Sequence, residues 1–351
     1  MVSATGPRGA VTAFPTSEES LALQASLLDG NRALEAWRKL SSSTGLEEGG
    51  IAWIAPLLMA NLQRIVPDDP WVKGNPHYLT LALLKGRAIT TSAEQILRCL
   101  AEAAVPTMAL KGLALGATVY DSPGLRTVSD LDILVPGKDL FRSMEALKRH
   151  GLRAGLGEPV GPNGLRANHA VVFVPSKRHE LSIDLHWHVL ASARADDDDA
   201  SFWSAAQPLV IGSTPTLGLC PEHQLLHVLV HGVRWTRMPH VRWVADAALV
   251  LRRAKEGFRV ERFLEATRRF DAVVPVQEGL AFVADISEEG RELLERASTL
   301  TRSRFSELAF RARSTSYEDR TIADRIALRI ESAVWTQRAR RRSSRSDTAD
   351  R

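Results

Sequence analysis

Apolar residues recur at helical spacing through the first hundred positions. Residues 17–40 predict two short helices separated near Gly30, and residues 50–65 predict a third. A broad stripe of leucine and isoleucine through residues 77–104 predicts a longer helix that ends before Pro106. The N-terminal part of the chain is therefore predicted to be helical.

Short strands and short helices replace this pattern after residue 104. The predicted strands cover residues 105–111, 131–135, 170–174 and 180–189, and the predicted helices cover residues 113–120 and 138–150. The last of these strands alternates strictly, so that Glu180, Ser182, Asp184, His186 and His188 share one polar face. Helical spacing returns at residue 222 and continues to about residue 334.

These changes of pattern divide the chain into five segments. We predict a disordered leader (1–16), an N-terminal helical segment (17–104), an α/β core (105–195), a C-terminal helical domain (196–335) and a disordered basic tail (336–351). The composition, 44% hydrophobic and 25% charged, is ordinary for a globular protein. Much of the net charge of +4 lies in the tail, for which a solvated terminus is favoured over a nucleic-acid contact.

Cysteine usage and hydropathy bear on the location of the protein. Cys99 and Cys220 are far apart and have neither the spacing of a disulfide framework nor that of a zinc ribbon. No apolar run reaches the roughly 18 residues of a membrane-spanning helix, and residues 1–17 lack the apolar stretch of a signal peptide. We therefore expect a cytoplasmic protein without a membrane partner.

Two aspartates stand one residue apart inside an apolar run. In a strand, Asp130 and Asp132 project to the same face, while Leu131 and Ile133 point the other way. Two anions this close repel each other unless a cation or a shared proton neutralises them. Oxygen ligands favour Mg²⁺ or Mn²⁺, which in turn bind phosphates.

Other candidate site residues flank this pair along the chain. Asp184 on the polar strand adds a third carboxylate, and the helix that starts near Gly112 offers backbone N–H groups to phosphate oxygens. Lys111 adds a point charge, and Arg126 adds a guanidinium suited to phosphate. Together they predict a site for metal-assisted phosphate chemistry.

Less specific interpretations stay open for several of these residues. Asp184 would also suit a solvated strand face, Lys111 would suit the protein surface, and Arg126 could pair with Asp121 or Asp130. The acidic run at residues 196–199 is predicted to be a solvated loop.

The histidines predict less specific roles. His186 and His188 share the Asp184 face, where solvated side chains are the favoured interpretation. His223, His227 and His231 recur every four residues along one helix. A straight helix separates the first and third of these by about 12 Å, so one zinc ion is not favoured. We expect instead that His227 or His231 faces a nucleotide.

The segments LKGLAL, SDLDILV and SIDLHWHV, with the later HxxxHxxxHGxxW and RWVAD, carry a family resemblance. Together they resemble the uncharacterised nucleotidyltransferase family within the DNA polymerase beta-like superfamily. The resemblance covers roughly residues 17–334. It implies an α+β fold, in which a nucleotidyltransferase-like mixed sheet is flanked by N-terminal and C-terminal helical segments.

The resemblance also implies an activity and roles for individual residues. Asp130, Asp132 and Asp184 would hold Mg²⁺ or Mn²⁺ and catalyse transfer of a nucleoside monophosphate from a nucleoside triphosphate (NTP) to an unknown small-molecule or protein acceptor. Lys111 and Gly112 would take the place of the phosphate-binding turn, where the superfamily has Gly-Ser. Because this turn is altered, a nucleotide-binding accessory protein with weak or no turnover is the alternative.

Overall fold

The computed structural model describes residues 13–42, 49–155, 168–175, 181–193, 196–234, 241–316 and 318–349. Its α-helices are α1 (Ser17–Leu27), α2 (Gly30–Ser41), α3 (Ala55–Ile65), α4 (Pro70–Gly74), α5 (Tyr78–Glu102), α6 (Lys111–Thr118), α7 (Leu140–Arg149), α8 (Ala200–Ser204), α9 (Pro221–Gly232), α10 (Arg242–Ala254), α11 (Val260–Arg269), α12 (Val273–Val283), α13 (Glu288–Ser298), α14 (Arg304–Ser314) and α15 (Ile322–Ala349). Its strands are β1 (Met108–Ala109), β2 (Asp130–Leu134), β3 (Leu152–Ala154), β4 (Ala170–Pro175), β5 (Ser182–His186), β6 (Gln207–Ile211) and β7 (Thr214–Gly218). None of the described helices is both long and apolar enough to cross a membrane.

The chain forms two compact units. The helical unit comprises Met1–Pro76 and Val228–Glu331, and the sheet unit comprises His77–His227 and Ser332–Arg351. The long helix α5 belongs to the sheet unit together with all seven strands. The segment boundaries at residues 104, 195 and 335 stay predictions.

Helix ends and a buried aromatic core stabilise the helical unit. The hydroxyl of Thr16 accepts a hydrogen bond from the Glu19 backbone N–H, and the Glu19 carboxylate accepts one from the Thr16 N–H, which closes a capping box at the start of α1. Trp243 of α10 is buried, as expected for a residue that fills the core of this helical region. Trp235, its counterpart in the sequence, lies outside the described residues.

A mixed seven-stranded sheet organises the sheet unit. Its strand order is β3-β4-β5-β2-β1-β7-β6. The pairs β2–β5 and β1–β7 are parallel, and the other neighbours are antiparallel. Apolar residues such as Phe173, Ile183 and Leu185 are buried in one core with residues of α5 and α7, which explains their alternation with polar neighbours. The predicted α+β class is confirmed.

Two parts of the backbone differ from the sequence-based expectation. The strand predicted over residues 105–111 is only Met108–Ala109, because the Leu110 N–H donates to the Asp132 carbonyl and the chain then enters α6 at Lys111. Helix α15 continues to Ala349, where a disordered tail is predicted, and the arginines of this stretch are good helix formers. Residues 1–12 of the predicted leader lie outside the described residues.

Candidate active site

The parallel pairing of β2 with β5 brings two of the three predicted carboxylates together. Its register sets Asp132 opposite Asp184 and Asp130 opposite Ser182. Residues opposite each other on neighbouring strands point to the same face of a sheet. Ligand atoms of Asp132, Asp184 and His186 all lie within 4.8 Å of one another. Asp130 stands outside this cluster, and its Oδ1 accepts a hydrogen bond from Ser129 Oγ at 2.9 Å.

Asp132 is the centre of a buried charge cluster. Its Oδ1 lies 2.5 Å from the Lys111 ammonium and 3.0 Å from His186 Nε2. The Asp132 side chain is only 3% exposed, whereas that of Lys111 is 20% exposed. Lys111 is thus a partner of the carboxylate and not an ordinary surface lysine.

The pKa values of Asp132 and Asp184 are shifted in opposite directions. Burial would raise the pKa of Asp132, but the charge of Lys111 and the hydrogen bond from His186 outweigh burial and hold this pKa well below its usual range. Burial and the neighbouring charge of Asp132 raise the pKa of Asp184. Asp132 is therefore the permanent anion, and Asp184 is the carboxylate better able to accept a proton.

The turn into α6 positions Lys111. Because β1 pairs with β2 and the Leu110 N–H donates to the Asp132 carbonyl, the next residue is held beside Asp132. Lys111 has a φ of 44°, which is rare for a residue with a side chain and concentrates at functional sites. The backbone strain thus occurs at the residue that contacts the buried aspartate.

Gly112 follows Lys111 in this turn and packs against the side chain of Arg126. A Cβ on Gly112 would stand 3.1 Å from Val128 Cγ2 and 3.2 Å from Arg126 Nη1, so only glycine fits without displacement. Arg126 is buried and donates from Nη1 to the Thr127 carbonyl at 2.6 Å. The structure therefore brings together Lys111, Gly112 and Arg126, the three residues predicted to bind phosphate.

The histidines of α9 fall into different environments. His227 is buried, and this burial, with the charges of Lys111 and His186, lowers its pKa to about 3. The His223 ring lies edge-on to Phe202, with 4.8 Å between centroids. His231 is exposed and belongs to the helical unit, so its role in nucleotide binding stays a prediction.

Two predictions of solvated side chains are wrong. His186 and His188 are buried, and His188 Nδ1 is hydrogen-bonded to Asp199 Oδ2. Asp199, a member of the acidic run predicted to be a solvated loop, also accepts the Val189 N–H at 2.9 Å. Asp198 beside it is buried as well. Alternation along a strand does not reveal what covers its polar face, and only the fold does.

The donor set of the cluster fits a divalent cation. Two carboxylates and an imidazole are common metal ligands, and the pair of carboxylates leaves negative charge for a cation to neutralise. Sequence reasoning missed His186 as part of this set, although its position two residues after Asp184 on the same strand face is a usable signal.

Comparisons with known proteins agree with this picture. A family model described as "Uncharacterised nucleotidyltransferase" matches residues 54–287, about two thirds of the chain. No curated protein matches this chain.

Solved structures of one protein share low similarity with the chain. A solution structure of the antibiotic-resistance factor ANT(2'')-Ia has a TM-score of 0.36 and 15% identity, covering 54% of this chain and 94% of that one. A crystal structure of ANT(2'')-Ia in complex with adenylyl-2''-tobramycin has a TM-score of 0.36 and 14% identity, covering 52% and 97%. At this level of similarity no site or substrate is transferred from them.

Proposed function

Because this chain belongs to the family of uncharacterised nucleotidyltransferases, we propose that it moves a nucleoside monophosphate from an NTP to a hydroxyl or amine of an acceptor and releases pyrophosphate. The observation that carries this proposal is the parallel β2–β5 register, which sets buried Asp132 against half-buried Asp184 in one cluster. Nucleotidyl transfer needs this combination of fixed anions beside a group that binds phosphate.

In this proposal three carboxylates hold Mg²⁺ or Mn²⁺. They belong to Asp132 and Asp184 and to Asp130, the first residue of β2. The bound ion would neutralise charge on the triphosphate and align the nucleophile with the leaving group. Asp132 supplies the permanent negative charge, consistent with its lowered pKa.

Asp184 is proposed to accept the proton of the acceptor hydroxyl at one of its carboxylate oxygens. Its raised pKa supports this role, because a base works best when its pKa approaches the working pH. The acceptor oxygen then forms the new bond to the α-phosphorus, and the bond from that phosphorus to pyrophosphate breaks.

Lys111, Gly112 and Arg126 are proposed to bind the phosphates. Lys111 offers an ammonium, and Gly112 lies in the first turn of α6, where backbone N–H groups can donate to an anion. We propose that His227 or His231 faces the nucleotide, and a neutral imidazole at His227 is in keeping with its pKa of about 3.

Incubation with each α-labelled NTP, Mg²⁺ and a panel of acceptors tests the proposal. We expect pyrophosphate release or a labelled adduct, and we expect nucleotide with metal to raise the melting temperature. Asp132→Asn should abolish both effects, whereas Asp139→Asn, a buried carboxylate paired with Arg142, should retain them. Equal behaviour of the two variants would refute the proposed site.

The contact between Lys111 and Asp132 favours a second candidate function. An ammonium 2.5 Å from the central carboxylate competes with a metal for the same oxygen, as expected of a nucleotide-binding accessory protein without turnover. Nucleotide binding with no pyrophosphate release across the acceptor panel would select this candidate. Neither Cys99 nor Cys220 forms a disulfide within the part of the chain that the structure describes, which supports the proposal of a cytoplasmic location for either function.

A further inference from the structure

We propose that His186 is a nitrogen ligand of the metal, so that this site prefers first-row transition ions such as Mn²⁺ and Co²⁺ to Mg²⁺. The inference rests on the proposed function, since it names a further ligand of the same metal site. It changes the expected chemistry from an all-oxygen site to a mixed nitrogen and oxygen site.

The spacing of the donor atoms supports ligation by His186. Two ligands at right angles on one ion, each about 2.1 Å from it, stand about 3.0 Å apart, and opposite ligands stand about 4.2 Å apart. His186 Nε2 lies 3.0 Å from Asp132 Oδ1, and the three donor atoms of the cluster lie within 4.8 Å of one another. The spacing of these donor atoms is thus close to the spacing that a single ion requires.

The His186 ring also carries a nitrogen that the described part of the protein leaves unused. Its side chain is 3% exposed, and Nδ1 is buried without a hydrogen-bond partner among the described residues. Buried polar atoms in native proteins usually have partners, and exceptions call for a functional reason. As a ligand, His186 would present the Nε2 lone pair to the ion and carry its ring proton on Nδ1.

The neighbouring groups restrict how the ring can move. His186 is the last residue of β5, its partner Leu134 lies on β2, and the His169 ring stands beside it with 5.5 Å between centroids. Imidazole binds transition ions well and Mg²⁺ poorly, which gives the site its preference.

Pulsed EPR of the Mn²⁺-loaded wild-type protein tests this assignment without any acceptor. A ligating imidazole nitrogen gives a ¹⁴N modulation, which we expect in the wild type and expect to be lost in His186→Gln. His188→Gln is the matched control, because His188 is also a buried histidine, two residues after His186, but pairs with Asp199, and this variant should keep the modulation. By titration, His186→Gln should also lose about tenfold or more of its Mn²⁺ affinity and little of its Mg²⁺ affinity.

The outcomes separate this inference from the proposed function. Wild-type protein that binds Mn²⁺ without a ¹⁴N modulation overturns the role of His186 and leaves the nucleotidyltransferase proposal intact. Wild-type protein that binds neither Mn²⁺ nor Mg²⁺, with or without NTP, overturns both. If His186→Gln does not fold, His186→Asn replaces it. Labelling the histidines of the wild type with ¹⁵N then shows whether any histidine is a ligand. A ¹⁴N modulation that this labelling leaves unchanged contradicts the inference.

Discussion

Two buried carboxylate–imidazole pairs lie at the end of β5, and their surroundings differ. Asp199 accepts hydrogen bonds at both oxygens, from His188 at Oδ2 and from the Val189 N–H at Oδ1. Asp132 receives both Lys111 and His186 at Oδ1, so its Oδ2 has neither contact. Asp184 joins Asp132 and His186 in a group of three potential metal ligands, whereas Asp199 and His188 belong to no such group among the described residues.

The difference separates a structural pair from a candidate catalytic one. The protein satisfies Asp199 with its own donors, so this pair fastens the segment after β5. The Asp132 pair combines a strongly acidic carboxylate, a neighbouring carboxylate with a raised pKa and an imidazole nitrogen without a partner among the described residues. Perturbed groups of this kind concentrate at functional sites.

Replacing Asp132 should have the largest effect on activity. Removing a ligand of the metal costs several kcal/mol of transition-state stabilisation, so Asp132→Asn should lower the transfer rate about a thousandfold. The measurement is pyrophosphate release at saturating NTP, with circular dichroism to show that the variant is folded. A folded variant with a rate within a factor of ten of the wild type would contradict the role of Asp132.

Asp199→Asn should have the opposite profile. Because both oxygens of Asp199 accept hydrogen bonds in a buried position, we expect the free energy of unfolding to fall by about 2 kcal/mol. Metal affinity should change by less than about twofold, since Asp199 is outside the metal cluster. Urea unfolding measures the stability, and Mn²⁺ titration measures the affinity. A large loss of Mn²⁺ affinity in a variant of unchanged stability would show that the Asp199 pair is not merely structural.

His227 sharpens the comparison through the pH dependence of stability. Its pKa in the folded protein is about 3, against about 6.5 in the unfolded chain, so between these values only the unfolded chain takes up the proton. Stability should therefore fall as the pH drops from 6.5 towards 3, by up to about 1.4 kcal/mol per pH unit.

His227→Gln in the presence of EDTA should reduce this slope, whereas His150→Gln, which replaces an exposed histidine, should leave it unchanged. Urea unfolding at pH 6.5, 5.5 and 4.5 gives the slopes. Parallel curves for the wild type and His227→Gln would show that His227 is not held neutral by the fold.

Lys111→Met should produce the smallest effect. Without the ammonium, Asp132 loses a competing cation, so Mn²⁺ affinity should rise about tenfold, or 1.4 kcal/mol. Affinity for NTP in the presence of metal should fall, because the phosphate-binding charge is gone. Lys138→Met, which removes an exposed lysine, is the control, and isothermal titration measures both affinities. Unchanged Mn²⁺ affinity in Lys111→Met would show that the ion pair does not compete with metal.

Local patterns in the sequence predict most of the helices and strands and the spacing of the candidate carboxylates. The alternation around Asp184 and the Asp-x-Asp spacing of Asp130 and Asp132 are local patterns, so they can be read without a fold. The proximity of Asp132 and Asp184 cannot be read from a local pattern. Their strands, β2 and β5, are neighbours in the sheet, but β3 and β4 lie between them in the sequence. Their shared register is a property of non-local strand pairing.

Burial was the feature that the sequence predicted least well. His186, His188 and Asp199 have polar side chains on alternating or acidic stretches, and such stretches are usually solvated. Their burial depends on segments that cover them from elsewhere in the chain. Likewise, the left-handed backbone of Lys111 follows the hydrogen bond from the Leu110 N–H to the Asp132 carbonyl. This bond joins the residue after β1 to the separate strand β2, so the local sequence does not predict it.

Anomalous diffraction from crystals grown with Mn²⁺ and a non-hydrolysable NTP is the most direct test of the metal site proposed at Asp132 and Asp184. We expect a manganese peak between the carboxylates of Asp132 and Asp184, with the triphosphate beside Lys111. Nucleotide bound with no manganese at these carboxylates, or manganese bound elsewhere on the protein, would contradict it.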